Sequence, residues 1–63
     1  MNNTRDLKNY VRDMIVKHPE LREQMLELLE LCMDEIEEGA SPSNEMHLCV
    51  SDINQLITNQ ESI

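Results

Sequence analysis

Residues 19 to 43, PELREQMLELLELCMDEIEEGASPS, decide the fold of this chain. Between the two prolines, apolar side chains recur at helical spacing in more than one row, with carboxylates between them. The GASPS segment then ends one helix with Gly39 as a left-handed cap and starts the next with Pro42 in its first turn. A connection of so few residues between two long helices predicts an antiparallel helical hairpin.

The residues before Pro19 predict a shorter amphipathic helix. Its apolar face holds Leu7, Tyr10, Val11, Met14 and Ile15. His18-Pro19 should end this helix with a kink, because the residue before a proline is pushed out of the α region. The predicted elements are a helix over about 4–17, a helix over about 19–38, a turn over 39–42, a helix over about 42–58 and a frayed tail over 59–63.

Length and composition bound the class of protein. The 63 residues make one domain, 1–63, and a chain this short buries only about 60% of the surface that its unfolded form exposes. No secretory leader and no apolar run of about 18 residues occurs, which predicts a soluble, cytoplasmic protein that does not bind membranes. The two cysteines are then expected to be free thiols.

The second helix is apolar over too much of its circumference for a single neighbour. Beside its main apolar row, Leu26, Leu29 and Met33 form a second one. One side can pack on the third helix, and the other is available to a second copy or to a target. The sequence therefore predicts an all-α chain assembled as a helical homo-oligomer, a dimer or higher, with this second row in the interface.

Charge divides the chain into two parts. All five basic residues lie within the first 22 positions, beside three carboxylates, whereas residues 23 to 63 carry ten carboxylates and no base. The net charge of −8 argues against direct binding to nucleic acid, because that affinity comes largely from Lys and Arg at phosphates.

Carboxylates on the second helix recur at steps of three and four residues and so share one face. The acidic stripe, as we call it, consists of Glu23, Glu27, Glu30, Asp34 and Glu37. A solvated face usually mixes its charges, because like pairs four residues apart cost roughly a few tenths of a kcal/mol. The stripe therefore predicts binding to a basic surface on a partner protein. The alternatives are solvent alone, or the chain's own Arg5, Lys8 and Arg12, within the fold or across a dimer.

No catalytic or cofactor-binding constellation stands out. The serines lie on a predicted turn, helix or tail without a strained elbow, and a single glycine cannot build a phosphate cradle. Cys32 and Cys49 come to the same height of the predicted hairpin and could touch, which favours packing over a redox or metal site. A zinc site would need two further ligands, and His18 and His47 are badly placed to supply them. We expect no enzymatic activity, no cofactor and no metal.

Residues 31 to 57, LCMDEIEEGASPSNEMHLCVSDINQLI, resemble the helical hairpins of small acidic early proteins of tailed bacteriophages of the T-even type. The likeness lies in length, in acidity, and in an E-I-E-x-G-x-S turn followed by E-M-x-L-C-x-x-D-I-x-x-L-I. Such proteins commonly bind and inhibit a host factor or a defence component. The resemblance therefore implies a phage-encoded, anti-defence or host-factor inhibitor in the bacterial cytoplasm.

The predicted order of a short helix, a kink and two long helices also resembles phage sponges that sequester cyclic-nucleotide defence signals as oligomers. In those proteins a tyrosine and basic residues near the N-terminal helix handle base and phosphate. This resemblance implies a cyclic oligonucleotide as the alternative ligand, held by Lys8, Tyr10, Arg12 and Lys17. The net charge of −8 weighs against it, because the chain as a whole repels anions.

Overall fold

A computed structural model describes residues 3 to 61 of the chain. They form three α-helices, α1 (Asn3–Lys17), α2 (Arg22–Glu37) and α3 (Pro42–Glu61), with a 3-10 turn at Pro19–Leu21 between the first two. This part of the chain contains no strand, which confirms the all-α prediction. None of its helices has both the length and the apolar content that a membrane span requires.

Gly39 forms the turn between α2 and α3. Its φ of +113° lies in a region where L side chains are strained, and an added Cβ would meet no neighbour, so the backbone alone calls for glycine. The Gly39 amide donates to the Ile36 carbonyl, and the Ala40 amide donates to the Glu35 carbonyl. These two bonds define a Schellman cap, which confirms the predicted left-handed end of the helix.

Contacts at both ends of the hairpin show that α2 and α3 are antiparallel. Near the turn, Cys32 of α2 lies beside Cys49 of α3. At the far end, the Glu20 carboxylate, in the turn just before α2, accepts hydrogen bonds from its own backbone amide and from the side chain of Gln60 on α3. Both bonds lower the pKa of Glu20, the backbone bond more than the Gln60 bond. Residue numbers thus rise along one arm as they fall along the other.

The first helix packs against both arms of the hairpin. The Tyr10 hydroxyl donates to Oδ1 of Asn54 on α3 at 3.1 Å, and Val11 lines a groove together with Leu26 of α2. α1 therefore covers part of the second side of α2, the side that the sequence predicted to be open to another copy or to a target. That side of α2 is therefore less open to another copy or to a target than the sequence predicted.

The core joins one row of apolar side chains from each helix. Its buried members among the described residues are Leu7, Val11, Leu21, Met25, Cys32, Cys49 and Ile53. Leu7, Met25 and Ile53 come one from each helix and have no exposed surface. Each helix thus depends on the other two for the burial of its apolar face.

The C-terminal end of α3 differs from the prediction. The helix continues to Glu61, so that residues 59 to 61 are helical and not a frayed tail. The Gln55 side chain donates to Oδ1 of Asn59 at 3.3 Å, and Gln60 contacts Glu20, which holds the last turn on the hairpin. The remaining residues of the predicted tail, 62 and 63, lie outside the described part.

The start of the second predicted helix differs as well. The backbone of His18 has φ −133° and ψ 68°, outside the helical region, as expected before a proline. Residues 19 to 21 then form a 3-10 turn, in which the Leu21 amide donates to the His18 carbonyl three residues earlier. Helix α2 therefore begins at Arg22, and not at Pro19.

Candidate protein-interaction surfaces

The acidic stripe lies on the outer face of α2. Its five side chains are all exposed. Within residues 3 to 61, the ion pair observed is between His18 Nδ1 and Glu20 Oε1 at 3.8 Å, and it does not involve the stripe. The stripe is therefore an exposed row of negative charge on a helix whose other side is packed in the core.

Lys8 and Arg12 lie beside the groove between α1 and α2, and the ion pair observed in residues 3 to 61 joins neither of them to the stripe. Lys8 and Arg12 are exposed, and together with Arg5 they lie on the outer surface of α1. Lys8 and Arg12, but not Arg5, also border the groove between α1 and α2. Pairing between the bases of α1 and the stripe, within the fold or between copies, stays a prediction.

An apolar groove with a basic rim runs between α1 and α2. Its volume is about 360 Å³. The residues that define this basic-rimmed groove are Val16, Leu26, Leu29, Lys8, Arg12 and Arg22. Val16 is 76% exposed and Leu26 is 39% exposed. Two members of the predicted oligomer interface, Leu26 and Leu29, thus line this surface, and Leu29 and Met33 are both partly buried against the core.

A second apolar surface lies between α2 and α3. Leu31 is 60% exposed and Leu48 is 52% exposed, and both border a shallow cleft of about 190 Å³. Three carboxylates, those of Glu35, Glu45 and Asp52, complete its rim, and no base lines it. We call this surface the leucine cleft.

The leucine cleft was not predicted from the sequence, although a signal for it exists. Leu48 has Glu45 three residues before it and Asp52 four residues after it, and Leu31 has Glu27 and Glu35 four residues to either side. Such neighbours share one helix face, so each leucine has a carboxylate about one helical turn away on either side. Leu26 has the same kind of neighbours, Glu23 and Glu30, so this pattern marks an exposed leucine and does not by itself locate the cleft.

The two cysteines touch, which the sequence had left open, and they form a small cluster with Tyr10. Burial, and then the neighbouring Cys32, raise the pKa of the Cys49 thiol to about 11. Burial also raises the pKa of Cys32 and that of Tyr10. A thiol that holds its proton is a poor nucleophile and a poor metal ligand. No group of three His, Cys, Asp or Glu side chains arranged to hold a metal occurs in residues 3 to 61.

The residues predicted to hold a cyclic oligonucleotide do not meet within one chain. Tyr10 hydrogen-bonds to Asn54 on the α3 side of α1. Lys8 and Arg12 border the groove on the α2 side, and Lys17 is exposed in the last turn of α1. A site built from all four side chains would need more than one copy of the chain.

Comparison with known proteins assigns no family. No family model, no curated protein and no solved structure matches the chain. The resemblance of residues 31 to 57 to phage early proteins therefore stays a prediction from those residues. The fold and its surfaces define a class, that of small three-helix proteins with charged and apolar surfaces exposed on the same scaffold.

Proposed function

We propose that this chain is a non-enzymatic protein-interaction module that binds a basic surface of a partner protein through the acidic stripe. The observation that carries the proposal is the row of five carboxylates on α2, all of them exposed on one face of the helix. Each like-charge pair along the row costs roughly a few tenths of a kcal/mol. A basic partner would replace this repulsion with attraction.

The dimensions of the stripe suit an extended partner surface. From Glu23 to Glu37 it spans about 21 Å along the helix axis, given a rise of about 1.5 Å per residue. A row of Lys and Arg side chains of similar length, on a helix or a strand, would match it. Charges arranged in this way chiefly raise the association rate and reject acidic partners.

Inhibition of a host or defence protein is the role that we propose for this binding. A small chain that covers a basic surface blocks other acidic ligands from the same place. The resemblance of residues 31 to 57 to phage early proteins makes a bacterial protein, in the bacterial cytoplasm, the first partner to look for.

We also propose that the chain self-associates through an apolar surface that includes Leu26 and Leu29. Both side chains line the basic-rimmed groove, which opens to solvent between α1 and α2. The core of a single copy is small, so covering the exposed Leu26 and Val16 would add stability that one 63-residue chain lacks.

Capture of a partner from bacterial lysate tests the function. The tagged chain is compared with a stripe variant, Glu27→Lys with Asp34→Lys, at low ionic strength. Asp13→Lys with Glu61→Lys is the matched control, because these exposed carboxylates lie on α1 and at the end of α3 and the net charge changes equally. We expect the wild-type chain and the control to retain the same partner and the stripe variant to lose it. If the stripe variant and the control retain the partner equally, the stripe is only a solvated face and the proposal is wrong.

A further inference from the structure

The most exposed large apolar side chains of residues 3 to 61 fall into two pairs. Val16 and Leu26 belong to the basic-rimmed groove, and Leu31 and Leu48 belong to the leucine cleft. The rims of the two surfaces have opposite charge: three bases and no carboxylate line the groove, and three carboxylates and no base line the cleft. One chain thus carries two apolar surfaces that are complementary to each other.

From this complementarity we infer that copies of the chain associate head to tail, with the basic-rimmed groove of one copy packed on the leucine cleft of the next. The inference rests on the self-association proposed above and specifies its geometry. A symmetric contact between two grooves would place three bases against three bases, and a contact between two clefts would place three carboxylates against three carboxylates. Only a contact between a groove and a cleft brings bases to carboxylates, and like charges across an interface are strongly unfavourable.

The two surfaces lie far enough apart on the chain to be occupied together. Leu26 and Leu31 are five residues apart on α2, which places them about 140° apart around the helix axis at about 100° per residue. Each copy can therefore contact one neighbour through its groove and another through its cleft. A contact of this kind does not end at a dimer, but continues to a ring or an open chain. The acidic stripe lies on the outer face of α2, so it stays available to a partner protein.

A complementation experiment distinguishes this geometry from a symmetric dimer. The cleft variant carries Leu31→Ser and Leu48→Ser, and the groove variant carries Val16→Ser and Leu26→Ser; all four positions are exposed, so the fold should persist and is checked by circular dichroism. Light scattering measures the mass of each variant alone and of an equimolar mixture. We expect each variant alone to be a monomer of about 7.4 kDa and the mixture to form a heterodimer of twice that mass, because each variant keeps one intact surface.

The wild-type chain should form species larger than a dimer as its concentration rises, and each pair of serine substitutions should weaken self-association at least about tenfold. Self-association by the cleft variant alone would show a symmetric groove contact; it would overturn the head-to-tail geometry and leave the proposed oligomer intact. A wild-type chain that stays monomeric at millimolar concentration would overturn both.

Charge reversal gives a second readout that does not depend on the apolar substitutions. Arg12→Glu with Arg22→Glu in the groove should abolish self-association, and so should Glu35→Lys with Asp52→Lys in the cleft. The doubly reversed chain, which carries all four changes, should associate again, because each reversed rim meets its complement. Failure of the doubly reversed chain to associate, while it remains helical, would contradict the inference.

Discussion

Replacing Leu7 with alanine should lower the free energy of unfolding by about 2–5 kcal/mol, the usual cost of emptying a buried leucine site. Leu7 has no exposed surface and belongs to the core that joins the three helices. A single core in a chain below about 70 residues rarely supplies more than about 3–5 kcal/mol. The variant should therefore be largely unfolded at room temperature, as measured by the helical circular dichroism signal during urea denaturation.

Val16→Ala is the matched control on the same helix. Val16 is largely exposed, so its truncation should change the stability by less than about 0.5 kcal/mol. Both variants are measured at the same low protein concentration, so that self-association does not contribute. Equal stability of Leu7→Ala and Val16→Ala would show that Leu7 is not buried between α1 and the hairpin.

The interior of the fold could be predicted from the spacing of residues alone. The rows that contain Leu7 and Val11 on α1 and Met25 and Cys32 on α2 follow helical periodicity, and each of these side chains is buried. Gly39 was predictable for a different reason, because few residues other than glycine adopt a left-handed helix end without strain. Local patterns of this kind depend only on neighbouring residues, so one sequence suffices to see them.

The surfaces could not be predicted in the same way. Leu26 is less exposed than Leu31 because α1 packs beside Leu26, whereas no residue of α1 borders the cleft that contains Leu31. Periodicity assigns both leucines to the flanks of one helix and does not distinguish them. The predicted oligomer interface was therefore placed on a row that α1 partly covers, and the leucine cleft was missed.

The stability of the chain should fall as the pH rises from about 9 to about 11. The Cys49 thiol has an ordinary pKa of 9.0, which burial and then Cys32 raise to about 11 in the folded chain. The folded chain favours the protonated thiol. The contribution of this thiol to the free energy of unfolding is therefore fully present below pH 9 and is lost as the pH rises through the pKa of the folded chain. A shift of this size corresponds to a loss on the order of 2 kcal/mol. Cys32 and Tyr10 have pKa values raised in the same direction.

Urea denaturation at a series of pH values, in the presence of a reducing agent, measures this loss. Cys49→Ala serves as the reference, because it removes the buried thiol while Cys32 and Tyr10 remain. The alanine variant should start from a lower stability at neutral pH and lose less of it between pH 9 and pH 11. Parallel losses in the two proteins would show that the Cys49 thiol is not held protonated by the fold.

The dependence of partner affinity on salt tests most directly the claim that the acidic stripe binds through its charge. The partner captured from lysate is purified and titrated with the chain at ionic strengths from about 0.05 M to about 0.5 M, because exposed charges are screened over about 10 Å at 0.1 M and about 3 Å at 1 M. We predict that the Kd of the wild-type chain rises steeply across this range and that the stripe variant, Glu27→Lys with Asp34→Lys, binds weakly at every salt concentration. A wild-type Kd that does not change with salt, or a stripe variant that matches it, would contradict this claim.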